Sequence, residues 1–239
     1  MIYTSINNDH IKELKKLNQK KYRDLNNKFI VEGEHLVEEA FKNNLIDEIL
    51  VLEGYSFQYS SNYVNEKVMK YITELDSIPK IIGVCHKKND IIKGNRILVL
   101  DNIQDPGNLG TIIRSSVAFN IDTIILNKNG VDLYNQKVIR STQGMIFNIN
   151  IVISDLYDTI ENLKKDNYKI LSTRVDSGKL IKSIEKNDKF VIIIGNEGQG
   201  VSKELQNLCD EFIYIPMNEK CESLNAGVAA SIILYELSR

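Results

Sequence analysis

Three stretches of this sequence place glycine beside carboxylate, amide and guanidinium side chains directly after apolar runs. The first is Asp101-Asn102-Ile103-Gln104-Asp105-Pro106-Gly107-Asn108-Leu109-Gly110, which follows Ile97-Leu98-Val99-Leu100 and leads to Arg114. The second, Gly195-Asn196-Glu197-Gly198-Gln199-Gly200, follows Phe190 to Ile194, the most apolar run of the chain. The third extends from Ile215-Pro216-Met217 to Ser223-Leu224-Asn225-Ala226-Gly227. Glycine lets a ligand approach the backbone closely, and a helix N-terminus presents unsatisfied N–H groups. Any one stretch alone reads more readily as a capped turn. Three in succession read as one composite site.

Several chemistries fail on spacing. No Gly-x-Gly-x-x-Gly follows the first of these strands, so the dinucleotide fingerprint is missing. No Gly-x-x-x-x-Gly-Lys-Ser/Thr and no Gly-x-Ser-x-Gly occur, which removes the P-loop and the hydrolase elbow. Cys85, Cys209 and Cys221 form no Cys-x-x-Cys pair, and His10, His35 and His86 are isolated, so neither a disulfide framework nor a metal centre is expected. No apolar run reaches the roughly 20 residues of a membrane span. The stretch Met1 to Asn7 lacks a secretory start, so the expected location is the cytoplasm.

The elements that must position the three stretches alternate regularly. Strands are expected at 97–100, 123–126, 148–153, 168–172, 190–194 and 212–215. Helices are expected at 109–119, 134–143, 156–165, 202–208 (with Ser202 as N-cap) and 224–237. Such alternation predicts an α/β fold with a parallel sheet covered on both faces, whose ligands collect beyond the carboxyl ends of the strands. Before it, a helix from Ile11 to Leu25, a strand at 29–31, a helix at 35–44, a strand at 46–52, a loop at 54–65 and a strand at 81–84 suggest a smaller α/β module. The charged, glycine-bearing segment after His86 reads as a linker, which gives domains at 1–88 and 96–239 joined by 89–95. Net charge is only −2, but Lys15, Lys16, Lys20, Lys21 and Arg23 cluster against Glu13 and Asp24. That cluster is either a phosphate-neutralising patch or a solvated helix face.

Taken together, the residues resemble the SpoU (TrmH-type) branch of the SPOUT RNA ribose 2′-O-methyltransferases over nearly the whole chain. Asn108, Gly110 and Arg114 match its first motif; Gly195, Glu197 and Gly200 its second; Ile215-Pro216-Met217 and Ser223-Leu224-Asn225 its third. Gly227 departs from the pattern, since many members carry Ser there. The N-terminal part resembles the family's small RNA-binding module, akin to certain ribosomal proteins, around Phe29-Ile30-Val31-Glu32-Gly33. The resemblance implies S-adenosylmethionine as cofactor, held by Gly195, Ile215, Leu224 and Thr173. It implies a catalytic set of Asn108, Arg114, Glu197, Ser223 and Asn225, with no metal. It further implies a deep trefoil knot in the C-terminal domain and a homodimer that builds each active site from both subunits. Lys20, Lys21, Arg23 and Arg140, the last beside Ser141 and Gly144, are the expected RNA contacts. Large-subunit ribosomal RNA, 23S in bacteria, is the expected substrate. A tRNA ribose or a non-catalytic role in ribosome assembly is the alternative.

Overall fold

Asn8, Asn65, Asp105 and Asp155 each open a helix by accepting the backbone N–H three residues on, at 2.8–3.3 Å. These caps mark the joints of a computed structural model that describes residues 2–175, 177–184 and 187–238. Met1, part of the N-terminal stretch considered above, lies outside the described residues. The chain divides into two compact units, 1–89 with 132–147, and 90–131 with 148–239.

The first unit runs β1 (Ile2–Tyr3), α1 (Asp9–Lys16), α2 (Lys20–Asn26), β2 (Lys28–Glu32), α3 (Glu34–Lys42), β3 (Ile46–Leu52), β4 (Asn62–Val64), α4 (Glu66–Ile72) and β5 (Ile81–His86). Its sheet has the order β1-β4-β3-β5-β2, with β5 antiparallel to both neighbours and the other pairs parallel. Ile11, Leu14, Ile30, Leu50, Met69, Ile72 and Ile82 pack into its core. Residues 54–65, expected as loop alone, contain the short strand β4.

The single helix expected from Ile11 to Leu25 is two helices, and the break explains a second correction. At the end of α1 the carbonyls of Leu17 and Asn18 have no helical donors left. The Arg23 guanidinium turns inward and donates to both, at 2.9 and 2.7 Å, and also bonds Asp132. Arg23 is 4% exposed, while Leu25, expected on the apolar face, is 76% exposed. Arg23 is therefore a buried helix plug rather than a residue presented to RNA.

The second unit contains β6 (Arg96–Leu100), α5 (Pro106–Ala118) and β7 (Thr123–Leu126). Next in the chain comes α6 (Gln136–Thr142), which belongs to the first unit. The second unit resumes with β8 (Asn150–Ile153), α7 (Leu156–Lys165), β9 (Lys169–Thr173), β10 (Lys179–Leu180), β11 (Phe190–Ile194), α8 (Lys203–Gln206), β12 (Glu211–Tyr214) and α9 (Ala226–Ser238). Its seven strands have the order β10-β12-β9-β11-β6-β7-β8, and every described pair is parallel. Uninterrupted apolar strands suit a sheet buried on both faces, and β6, β7 and β11 are almost wholly buried. The expected α/β architecture with a large parallel sheet is what the chain forms.

Strand order singles out one place on this sheet. From β6 the chain proceeds through β7 and β8 on one side, while β9 and β12 lie on the other side, beyond β11. The reversal falls between β6 and β11, and ligands of open parallel sheets sit outside the carboxyl ends at such a switch point. Among the described residues, no helix is long and apolar enough to cross a membrane.

Candidate active site

The loops leaving β6, β11 and β12 converge at that switch point. Asp105 caps α5 and Pro106 occupies its first turn, which brings Asn108 to the helix entrance, 7% exposed. Asn108 Nδ2 donates to Glu197 Oε1 at 2.8 Å, and Asn225 Nδ2 donates to Asn108 Oδ1 at 2.8 Å. Glu197 also accepts the backbone N–H groups of Gln104 and Asp105, at 3.4 and 3.5 Å. The carboxylate thus faces the positive end of α5, where a negative charge is stabilised. Asn225 Oδ1 accepts the N–H groups of Gly227 and Val228 at 3.0 and 3.3 Å, so the same side chain caps α9.

Asn196 secures the second loop. Its Nδ2 donates to Asn102 O at 2.9 Å, and its Oδ1 accepts from Gly198 and Gln199. Asn102 adopts φ +65°, a left-handed conformation that Asn tolerates better than most residues. Asn196 and Gly200 also pair as an antiparallel bridge that folds the loop onto itself. This closure is why position 195 is glycine: a Cβ there would stand 2.0 Å from Gly200 C and 2.1 Å from Val201 N. The glycine thus serves the loop's own packing, and it also lines the cavity described next.

Beside this network lies a cavity of about 630 Å³ whose lining includes Thr173, Gly195, Ile215 and Leu224, all four cofactor candidates, together with Glu197 and Ser223. Ile194, Ile213 and Ile233 add apolar wall, and the backbone of 195–200 adds polar groups. Size and mixture match a small-molecule site, which typically measures roughly 300–1,000 Å³. Burial pushes the Cys209 thiol up to about 11 and the Cys85 thiol higher still, so neither supplies a thiolate near neutral pH.

The remaining candidates are placed differently. Arg114 lies exposed on α5 with no hydrogen-bond or ion-pair partner among the described residues, and it does not line the cavity. Ser223 lines the cavity but stands outside the chain Glu197–Asn108–Asn225. Lys20 and Lys21 are exposed, Lys20 paired with Asp24 at 2.6 Å and Lys21 near the Tyr22 ring. Arg140 lies with Nη1 3.7 Å from Oε2 of buried Glu32, while its side chain is 38% exposed. Ser202 precedes α8 without a side-chain cap bond; its N–H donates to Asp101 at 2.8 Å. Asn196 and Asp101, which tie the loops together, went unassigned in the sequence. Polar residues directly after apolar strands were their only signal.

Residues 95–235 match the SpoU rRNA Methylase family model, and residues 8–83 match the MRM3-like substrate binding domain. The chain is similar to the 23S rRNA (guanosine(2553)-2′-O)-methyltransferase RlmP of Bacillus subtilis (strain 168), at 36% identity over 98% of this chain and 97% of the relative. Among solved structures it is similar to an rRNA methyltransferase from Sinorhizobium meliloti, with TM-score 0.88 and 28% identity, covering 99% of this chain and 96% of that one. The AdoMet-bound form of the Sinorhizobium enzyme superposes with TM-score 0.87, at 28% identity over 99% of this chain and 97% of that one.

Proposed function

The chain belongs to the SpoU rRNA methylase family, and from that membership we propose that it methylates the 2′-hydroxyl of a ribose in 23S ribosomal RNA, with S-adenosylmethionine as donor. The observation that carries this reading is the cavity at the switch point, lined by the four cofactor candidates and bordered by the Glu197–Asn108–Asn225 chain. Its volume, apolar walls and backbone-rich loop fit an adenosine attached to an amino-acid tail.

When bound, the cofactor supplies a methyl carbon on a sulfonium, open to in-line attack by an oxygen. The protein's contribution is position. Gly195, Ile215 and Leu224 offer backbone groups to the cofactor, and Thr173, whose hydroxyl donates to Ile193 O at 3.3 Å, edges the same cavity. Asn108 has both side-chain ends engaged and Glu197 is spent on α5, so these two hold the loops rather than move protons. Ser223, exposed at the cavity, is free to contact ribose or phosphate. The Arg114 guanidinium has only donors and no acceptor, so its role is to orient the 2′-hydroxyl or stabilise the forming alkoxide.

The same reading extends to the assembly. Arg114 has no partner among the described residues and does not line the cavity of its own chain, which supports a homodimer in which it serves the partner's site. Insertion of β11 between the earlier strands β6 and β9 supports the trefoil knot. Residues 1–88 capture RNA and 96–239 carry the chemistry, joined by 89–95. Lys20 and Lys21, exposed on α2, and the partly exposed Arg140 on α6 are the phosphate contacts in this division. A ribosomal RNA substrate supports a cytoplasmic location.

Mapping ribose methylation across total RNA, with and without the gene, tests the proposal. The expected result is loss of one 2′-O-methyl mark in 23S rRNA, first sought at the guanosine corresponding to position 2553 of the Bacillus relative's target. Loss confined to tRNA would transfer the activity to that substrate. An unchanged map would leave an RNA-binding protein without turnover.

A further inference from the structure

Arg174 follows Thr173 at the end of β9 and is the single cation among the described residues lining the cavity. The other charged lining side chains are acids, Glu197 and Glu222. The guanidinium is held as a plate: its carbon lies 3.6 Å from the centroid of the Phe212 ring, and Nη2 donates to Gln206 Oε1 at 2.8 Å. Gln206 is itself fixed, with Nε2 donating to Val201 O at 2.7 Å and its backbone N–H to Ser202 O at 3.0 Å. The Arg174 backbone N–H donates to Ile213 O at 2.9 Å. Segments β9, α8 and β12 therefore set the position and plane of one charged group.

No described carboxylate neutralises that group, and its one fixed hydrogen bond goes to a neutral amide. A guanidinium carries five N–H donors, so most remain for a ligand. A planar, pre-oriented fork suits an anion with two oxygens, and a carboxylate is its natural bidentate partner. The cavity also contains the groups expected to hold an adenosine. We propose that Arg174 receives the carboxylate of the cofactor's amino-acid tail, and so distinguishes the intact cofactor from adenosine thioethers that lack the tail. The proposal rests on the cofactor reading above and goes beyond it by assigning one side chain to one end of the molecule. Stacking on Phe212 keeps the fork in place before the ligand arrives, which reduces the ordering cost of binding.

Calorimetry on the full chain, with two adenosine thioethers, tests this. S-adenosylhomocysteine carries the amino-acid tail, whereas 5′-methylthioadenosine shares the adenosine and sulfur but has no carboxylate. In Arg174→Gln, S-adenosylhomocysteine affinity should fall roughly ten- to a hundredfold, the scale of a charge-assisted hydrogen bond. Affinity for 5′-methylthioadenosine should stay within about twofold, which also reports an intact fold. Arg174→Lys should recover part of the loss, since it keeps charge without the fork. Equal losses for both compounds would overturn the proposal and make Arg174 a structural support of the loop. Unchanged affinity for both, with weakened RNA binding, would overturn it in favour of a phosphate contact. A wild-type protein that binds neither compound would instead overturn the cofactor reading itself.

Discussion

Hydrogen-bonding capacity decides which candidate side chains act together. Asn108 has one donor end and one acceptor end, and both are used, towards Glu197 and Asn225. Asn225 spends its oxygen on the start of α9 and its nitrogen on Asn108, so the helix cap and the site contact are one side chain. Arg114 differs in having every donor free among the described residues. A residue that holds nothing in place should be removable without harm to the fold. Arg114→Ala should therefore keep its melting temperature and its S-adenosylhomocysteine affinity. Its single-turnover methylation rate, with RNA and cofactor saturating, should fall about 10²–10³-fold, the usual loss on deleting a group that stabilises developing charge. Arg114→Lys should also be slow, because a point charge lacks the two-pronged geometry. A wild-type rate in the Ala variant would remove Arg114 from the chemistry.

At the scale of elements, the close turn after β11 depends on a missing side chain. The nearest atoms to a Cβ at position 195 are backbone, at 2.0–2.3 Å, so relief requires movement of the chain itself. Gly195→Ala should lose on the order of 1–3 kcal/mol or more, the scale of overpacking, and should lose thioether binding as the loop reopens. Gly198→Ala is the internal control. Its Cβ would meet only Asn196 Oδ1, at 3.6 Å, and stability should be retained. Thermal melting and calorimetry on the pair decide the matter, and equal behaviour of the two variants would remove the packing argument. A comparable lesson attaches to α1 and α2. Helical spacing from Ile11 to Leu25 is real, but two free carbonyls and a buried guanidinium at the break outweigh its continuation.

Across the whole molecule, α9 is the element least explained by a single chain. Between Ala226 and Ser238 it carries one charged residue, Glu236, yet Val228 and Tyr235 are 47% and 43% exposed. A helix that is apolar on nearly every side is normally buried. Under the homodimer proposal, this face meets a second copy. Sedimentation velocity should then show a dimer for the wild type and a shift towards monomer for the double variant Val228→Asp, Tyr235→Asp. Unpaired carboxylates in an apolar interface cost several kcal/mol. The variant's thioether affinity indicates whether its own cavity survives. A wild-type protein that sediments as a monomer would end the dimer proposal.

Local patterns were enough to establish the alternating α/β architecture, most strand positions and the three loops that converge on the cavity. Those features depend on apolar runs, Asx caps and turn chemistry within a few residues of each other. Motif resemblance added the roles proposed for single residues. Long-range pairing decided the rest. Arg23 became a helix plug and Arg140 a partner for buried Glu32 because Asp132 and Glu32 are brought near them only by folding. The placement of 132–147 with residues 1–89 likewise follows from packing of Gln136 on Ile30 O and of Phe147 and Tyr134 near Phe29. No spacing rule encodes such partners, since a side chain's charge is visible in sequence but the group that neutralises it is chosen by the tertiary structure.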